Sequence, residues 1–490
     1  MENTAHTNVV SNDYQSHFNE YISQESEAVR LQNCVGRLLY EKGIELVLFR
    51  NHLTDISISD ILQLHNYANE VVKKPISVMD TASLAVLLLD MNLAPSKLDI
   101  GKLAYEWQTE KSKFESQAAF LAEKLTDFGM DAKEAMKPKD VVLFGFGRIG
   151  RLAARELIKQ AGKGQQLRLR AIVLRKVDAA QLKKRAYLLR NDSVHGPIQG
   201  SVIEDYENLD LIVNGQRVKF IAANNPEDID YTAHGISDAL LIDNTGVFKD
   251  RAALSRHLSS KGISKVILTA PGKEIPNVVY GVNNKELDIE NETIYSAASC
   301  TTNAIVPVLK VIHDNLGVEK GHIETVHAYT NDQNLLDNYH KNERRGRSAA
   351  INMVITETGA GKAVTKVIPE LKDKLTANAV RVPVPNGSLA ILNLTVGRET
   401  SLDEIQNLLR NAALTGDLVN QINFNVNEEC VSSDIVGNTC CSVYDSNATI
   451  IHPDKKNIVL YVWYDNEFGY TKQVIRLAKY VAKVRRLIYY

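Results

Sequence analysis

Cys300 stands in the run Ser296-Ala297-Ala298-Ser299-Cys300-Thr301-Thr302-Asn303, and His327 follows in Thr325-Val326-His327-Ala328-Tyr329-Thr330. A thiol just before an apolar helical run, with an imidazole to pair with it, has the make-up of an activated nucleophile. A helix N-terminus and a neighbouring imidazolium both favour the thiolate. Attack on an aldehyde would give a thiohemiacetal, whose oxyanion needs donors such as the Cys300 backbone N–H and the His327 ring. Departure of a hydride would leave a thioester, with His327 as the base that takes the hydroxyl proton. Phosphate would then release the acyl group as an acyl phosphate. Taken alone, Cys300 reads as a buried structural cysteine. Its company changes that reading. Ser299, Thr301, Thr358 and Gly359 supply short hydroxyls and N–H groups suited to a phosphate. Thr330 and Arg381 supply another hydroxyl and a guanidinium for a charge-assisted bond.

A hydride needs an acceptor, and Gly145-Phe146-Gly147-Arg148-Ile149-Gly150 offers a place for one. The turn follows the apolar run Val141-Val142-Leu143-Phe144 and opens an amphipathic stretch through Leu152, Ala153, Leu157 and Ile158. That strand–turn–helix context gives the glycine pattern its meaning. Gly145 permits the tight turn, Gly147 lets the backbone approach a pyrophosphate, and Gly150 lets helix and strand pack closely. The helix start adds unpaired N–H groups and the positive dipole end. The second strand, Leu169 to Leu174, is followed by Arg175-Lys176-Val177-Asp178 rather than ending in an acidic residue. Arg175 and Lys176 could neutralise a ribose 2′-phosphate, which favours acceptance of NADP. Asp178 could instead reach a ribose hydroxyl if the loop folds back, and the two cations would then be a solvated loop.

These residues need scaffolds, and the rest of the chain supplies three regions. Residues 1–137 read as helical, from Leu31, Val35, Leu38 and Leu39, from Ala82 through Leu89, and from Phe114, Ala118, Leu121, Ala122 and Leu125. The run Leu84 to Leu89 needs an apolar partner. From residue 138 strands alternate with helices, which predicts a doubly wound parallel sheet over 138–299 plus 466–490. Residues 300–465 predict an α+β domain with a mostly antiparallel sheet. Its strands run through Ala379–Val382, Ser388–Val396 and Ile458–Tyr464, after a helix kinked near Pro307. The last stretch, Gln473 to Leu487, reads as a basic amphipathic helix.

Composition agrees with three globular domains. The chain has 490 residues, 44% apolar and 24% charged. A net charge of -2 argues against nucleic acid or acidic membrane as a partner. No apolar stretch reaches the roughly 20 residues of a bilayer span, and the first 30 residues carry no secretory signal. The five cysteines form no metal-ligand pattern, so no metal is expected and the reading is a reduced, cytoplasmic protein.

Over residues 140–490 the sequence resembles the phosphorylating glyceraldehyde-3-phosphate dehydrogenase family. The resemblance rests on Gly145 to Arg151, Asp192-Ser193-Val194-His195-Gly196, Asn244-Thr245-Gly246-Val247-Phe248, Ala270-Pro271-Gly272-Lys273, Ala298 to Asn303, Thr358-Gly359-Ala360, Arg381-Val382-Pro383 and Trp463 to Tyr470. It implies a Cys300 nucleophile and a His327 base, acting on D-glyceraldehyde 3-phosphate, phosphate and NAD or NADP. One phosphate site would use Thr330 and Arg381 with Arg347; the attacking phosphate would use Ser299, Thr301, Thr358 and Gly359. Arg148, Ile149, Thr269 and Asn466 match cofactor-contacting positions, Asn466 orienting the nicotinamide amide, and Tyr470 matches an aromatic neighbour of that ring. The family is usually a homotetramer with a long inter-subunit loop, here about 331–350.

Three departures stand out. The acidic residue after the second strand is displaced. Asn338-Tyr339 precede His340-Lys341 where NAD-specific members usually carry an apolar residue and Pro, and Phe468 stands where Trp is commoner. Residues 1–137 lie outside the resemblance and carry no recognisable chemistry. Two rival readings are an aldose-phosphate dehydrogenase acting on erythrose 4-phosphate, and a non-catalytic regulatory protein that keeps the fold. Thr330 and the Thr358-Gly359 pair argue against the first, the complete site against the second.

Overall fold

A computed structural model describes residues 14–130, 137–356 and 358–490. The chain divides into two compact units, one reaching to Ala135 and including Arg486–Tyr490, the other Met136–Arg485.

In the larger unit, the strand Lys139–Phe144 lies inside an eight-stranded sheet. On one side it pairs in parallel with Leu167–Leu174, which pairs with Gln216–Ala222. On the other side Ala239–Asp243, Ile263–Leu268 and Ile294–Ser296 follow, all parallel. Two antiparallel strands, Asp210–Val213 and Val202–Asp205, finish one edge. Successive residues of the central strand face opposite cores. Val141 and Leu143 join Leu157, Ile158 and Ile172, while Val142 and Phe144 join Ala171, Leu241 and Val266. Burial on both faces is what a parallel sheet under helices requires. The chain reverses its direction of winding between Lys139–Phe144 and Ala239–Asp243, so a crevice opens at their carboxyl ends. The glycine turn and the loop Asn244–Phe248 both sit there.

A second sheet of this unit has seven strands in its main path, in the order Val354–Thr356, Leu375–Val382, Val318–Ala328, Ser388–Val396, Asn457–Tyr464, Ser442–Asp445 and Ile422–Asn425. Four of these pairs are antiparallel. Val318–Ala328 with Leu375–Val382 is parallel, and so is Ile422–Asn425 with Ser442–Asp445. The helix Cys300–Leu316 continues through Pro307 with most of its length buried.

The smaller unit contains helices at the three expected runs, Tyr14–Arg37, Val78–Asp90 and Gln117–Lys124, with Ile58–Glu70 between the first two. Leu84, Ala85 and Leu88 are buried, so the apolar run has its cover. A further helix, Ile100–Glu110, begins after a strand, because the helical region also holds a small sheet. Its order is Asn51–His52, Glu45–Leu48, Ser96–Asp99, Leu487–Tyr489. The C-terminal end is therefore not helical to Leu487. The last helix is Phe468–Val481, and Leu487–Tyr489 pairs in parallel with Ser96–Asp99. Arg486 pairs with Glu45 at 2.9 Å, and Tyr489 donates to Glu106 at 2.5 Å. Lys97 and His52 also approach Glu45, at 3.4 and 2.7 Å. Burial alone would push the Glu45 carboxyl up; Lys97, His52 and Arg486 hold it well below the usual range. Among the described residues no helix is long and apolar enough to cross a membrane.

Candidate active site

Cys300 is the first residue of the helix Cys300–Leu316. Ser299 caps that helix, its hydroxyl accepting from Thr302 N–H at 3.0 Å and meeting the Thr302 hydroxyl at 2.7 Å. Ahead of the cap, Ala298 adopts φ +56, a left-handed conformation that costs a non-glycine residue about 1–3 kcal/mol. Two bonds hold it there. Its N–H donates to Ser296 Oγ at 3.0 Å, and its carbonyl accepts from the Tyr470 hydroxyl at 3.0 Å. Tyr470 thus shapes the turn that presents the sulfur.

His327 and Arg381 end adjacent parallel strands in direct register. Cys300 Sγ lies 3.6 Å from His327 Nε2. Arg381 Nη1 lies 2.8 Å from His327 Nδ1, donates to the Ala328 carbonyl at 2.9 Å, and reaches Thr330 Oγ1 at 3.4 Å. His327 Nδ1 also lies 2.7 Å from the Ala328 carbonyl. The ring therefore has two arrangements. When Nδ1 donates to Ala328, Nε2 is a free base toward the sulfur. When Nδ1 accepts from Arg381, the proton sits on Nε2 and faces the sulfur. Burial, then the Arg381 charge, pushes the imidazole down to about 3. Burial pushes the Cys300 thiol up, opposed by Arg381. The guanidinium's Nε is buried and has no hydrogen-bond partner among the described residues, a donor aimed at something the protein does not supply.

The cofactor turn has the geometry that its glycines predict. Gly145 has φ +95, and a Cβ on Gly150 would lie 2.5 Å from the Gly145 carbonyl oxygen. A Cβ on Gly147 would meet nothing within 4 Å, so that side faces open space, as a ligand's approach requires. Arg148 and Ile149 begin the helix Arg148–Lys159. The Arg148 side chain is committed elsewhere, to Asp192 at 3.1 and 3.2 Å and to Glu467 at 2.5 Å. What it can offer a phosphate is its backbone N–H. Beside the turn, a cavity of about 400 Å³ is lined by Phe144, Gly145, Arg175, Lys176, Arg185, Thr245 and Phe248 among others. Thr269 donates from Oγ1 and from N–H to the Asp243 carbonyl, both at 3.0 Å. Asn466 is buried and its side-chain oxygen accepts from Ser388 at 2.9 Å.

Two family models match this chain: the NAD-binding domain of glyceraldehyde 3-phosphate dehydrogenase over residues 139–251, and the C-terminal domain of that enzyme over residues 299–466. The chain is 40% identical to glyceraldehyde-3-phosphate dehydrogenase of Priestia megaterium over 340 residues, 69% of this chain and 96% of that one. The chain belongs to the glyceraldehyde-3-phosphate dehydrogenase family. A glyceraldehyde-3-phosphate dehydrogenase-like protein of Pseudomonas aeruginosa is 46% identical over 453 residues, 92% of this chain and 98% of that one. The enzyme of Clostridium pasteurianum is 38% identical over 351 residues, 71% of this chain and 99% of its own.

Membership brings an NAD-binding oxidoreductase architecture, and the geometry sorts the residues expected to serve it. Cys300, His327, Thr330 and Arg381 come together. Arg347 does not join them: it is 65% exposed and pairs with Asp337 at 2.9 Å. Its neighbour Arg345 is turned inward instead, 18% exposed, bonded to Thr356 Oγ1 at 3.1 Å and paired with Asp332. Thr358, Gly359 and Arg345 line one depression of about 990 Å³. The Thr301 hydroxyl lies 3.2 Å from the Tyr464 hydroxyl and 3.9 Å from Cys300 Sγ. Tyr464 was not among the expected residues, though its ring meets His327 edge-on at 5.9 Å. Nothing in a run of strand aromatics marks it; only the fold brings it under the sulfur. Asp178 does not fold back to a ribose. It caps the helix Ala179–Arg190 and pairs with Lys176 at 2.9 Å.

Proposed function

We propose that this chain catalyses the reversible, phosphorylating oxidation of D-glyceraldehyde 3-phosphate to 1,3-bisphosphoglycerate. The observation that carries the reading is the 3.6 Å approach of Cys300 Sγ to His327 Nε2 beside the unpartnered Arg381 Nε. His327 Nε2 takes the thiol proton, and the sulfur bonds to the aldehyde carbon. The protonated His327 ring passes that proton to the carbonyl oxygen, which becomes the hydroxyl of a thiohemiacetal, while the Cys300 backbone N–H donates to the same oxygen as charge develops on it. When bound, the nicotinamide supplies the hydride acceptor that turns this adduct into a thioester. His327 receives the hydroxyl proton as the C=O bond reforms. A phosphate oxygen then attacks the thioester carbon, the C–S bond breaks as the protonated His327 returns its proton to the sulfur, and the acyl phosphate leaves Cys300 and His327 as they began. Arg381 and Thr330 hold the substrate's phosphate; Thr358, Gly359 and Arg345 receive the attacking one, with the hydroxyls of Ser299 and Thr301.

For the cofactor, Gly145, Gly147 and the N–H groups at Arg148 and Ile149 cradle the pyrophosphate, with Asn466 and Tyr470 toward the nicotinamide. The ribose end favours NADP. Arg175, Lys176 and Arg185 line the cavity with no carboxylate among its lining residues, and Arg185 Nε is buried without a partner among the described residues. Lys176 is paired with Asp178, so Arg175 and Arg185 are the cations that suit a 2′-phosphate, which a plain ribose lacks. A homotetramer belongs to this reading, because the segment after Thr330 exposes Leu335, Leu336 and Tyr339 by 73%, 74% and 89%, and such an apolar patch calls for a partner. Five free cysteines suit a cytoplasmic setting.

The test is a steady-state assay with glyceraldehyde 3-phosphate and phosphate, run with NAD and with NADP. Turnover should fall about a thousandfold or more in Cys300→Ser, where a hydroxyl replaces the thiol. A Cys300→Ser enzyme of near wild-type rate would end the reading. A higher specificity constant for erythrose 4-phosphate would move the substrate assignment.

A further inference from the structure

We infer that the buried pair Asp243–His257 positions the loop Asn244–Phe248 against the cofactor, and so sets cofactor affinity without entering the chemistry. The inference rests on the reading of the cavity as the site of a nicotinamide dinucleotide. Asp243 ends a central strand, and its side chain and that of His257 are both 0% exposed. His257 comes from the last turn of the helix Arg251–Leu258. Its Nε2 donates to Asp243 Oδ2 at 2.9 Å. The other carboxylate oxygen accepts from Thr245 N–H at 2.8 Å and from its hydroxyl at 2.7 Å. Thr245 Oγ1 in turn accepts from Val247 N–H at 3.1 Å.

Each of these bonds ends on the cavity. Thr245 and Val247 line it, and so do Phe144 and Phe248, whose rings the His257 ring meets edge-on at 4.7 and 5.2 Å. Thr245 also braces the glycine turn, since a Cβ on Gly145 would lie 3.1 Å from its methyl carbon. A buried carboxylate is retained only where its oxygens are bonded. Here one end is bonded by the loop and the other by His257. Removing the imidazole leaves Oδ2 unpaired in an apolar setting, and the carboxylate is then free to turn away from Thr245. Cys300, His327 and Arg381 sit on other elements and keep their geometry.

The decisive variant is His257→Phe, which keeps a ring between Phe144 and Phe248 and deletes only the donor. Cofactor affinity, measured by calorimetry with NAD and with NADP, should weaken about tenfold. The KM for cofactor should rise alike, while kcat stays within about twofold and the rate of Cys300 alkylation is unchanged. His257→Gln, which restores an N–H near the same point, should recover most of the affinity. Should His257→Phe fail to fold, Thr245→Val removes the hydroxyl bond to the same carboxylate, leaving the backbone N–H bond, and should weaken cofactor in the same direction. Wild-type affinity retained in a folded variant overturns the inference, as does an equal fall in alkylation rate. Wild-type protein that binds neither nucleotide overturns the reading beneath it instead.

Discussion

The two units spend their buried charges differently. In the larger one, Arg381 keeps an unpartnered Nε beside the sulfur, Ala298 is held at positive φ, and His327 is neutral in a buried setting. These are features that a stable fold would not need, and they gather at one place. In the smaller unit, Glu45 is ringed by Lys97, His52 and Arg486. Asp99, whose carboxyl burial pushes up, accepts from the N–H groups of Phe49 at 2.8 Å, Arg50 at 3.1 Å and Lys102 at 3.0 Å. There the charges hold backbone and sheet together. The relatives divide in the same way. The Priestia megaterium enzyme aligns with 69% of this chain, whereas the Pseudomonas aeruginosa protein aligns with 92%. At 453 residues the second alignment is longer than the larger unit and extends into the smaller one, whereas the first, at 340, is no longer than the larger unit.

That contrast predicts variants of the larger unit that lose activity with little change in melting temperature, and variants of the smaller unit that do the reverse. After Cys300→Ser, the largest effect should come from Arg381→Gln, with kcat/KM reduced about a hundredfold or more. Arg381 favours the Cys300 thiolate, so its loss raises the thiol further, and alkylation of Cys300 should shift to more alkaline pH. An unmoved alkylation profile would separate Arg381 from the sulfur. Next, Arg345→Leu should raise the KM for phosphate about tenfold, while Arg347→Leu, on an exposed pair, should change it less than about twofold. Equal effects would erase the distinction drawn between them. Arg175→Asp should shift the NADP to NAD ratio of kcat/KM by about tenfold toward NAD, since the substitution replaces attraction for a 2′-phosphate by repulsion.

In the smaller unit, Glu45→Gln should cost about 2 kcal/mol near neutral pH and leave kcat unchanged. A carboxyl held below its unfolded value adds stability above that value, and loses the contribution as pH falls toward the folded one. The gap in melting temperature between variant and wild type should therefore close in acid. A gap that persists there would place the effect in packing rather than charge.

Much of the site was legible because its parts are local. Strand, glycine turn and helix follow one another between Lys139 and Lys159, and Ser299 caps the helix that begins at Cys300, so spacing alone predicts both. The doubly wound sheet follows from the alternation of apolar strands and amphipathic helices. The small sheet was not legible. Its strands run for two to four residues, too short to display the period of two that marks a strand. Leu487 continues the apolar spacing of the stretch from Gln473, so the sequence places it at the end of that helix. In the segment after Thr330, three arginines stand within four positions, Arg344, Arg345 and Arg347. Their types are equivalent, and only Asp332, Thr356 and Asp337 distribute them.

What the amino-acid order determined by itself was the kind of chemistry, since a thiol at a helix start, an imidazole on a strand and a glycine turn after a strand each depend on neighbours a few residues away. What only the tertiary structure decided was which side chains reach one another across long separations: Arg345 rather than Arg347, Tyr464 beneath Thr301, Asp178 turned from the ribose, and the last strand beside Ser96–Asp99. Such contacts depend on packing and on competition among equivalent donors for a few acceptors. That competition is resolved only when the whole chain has folded.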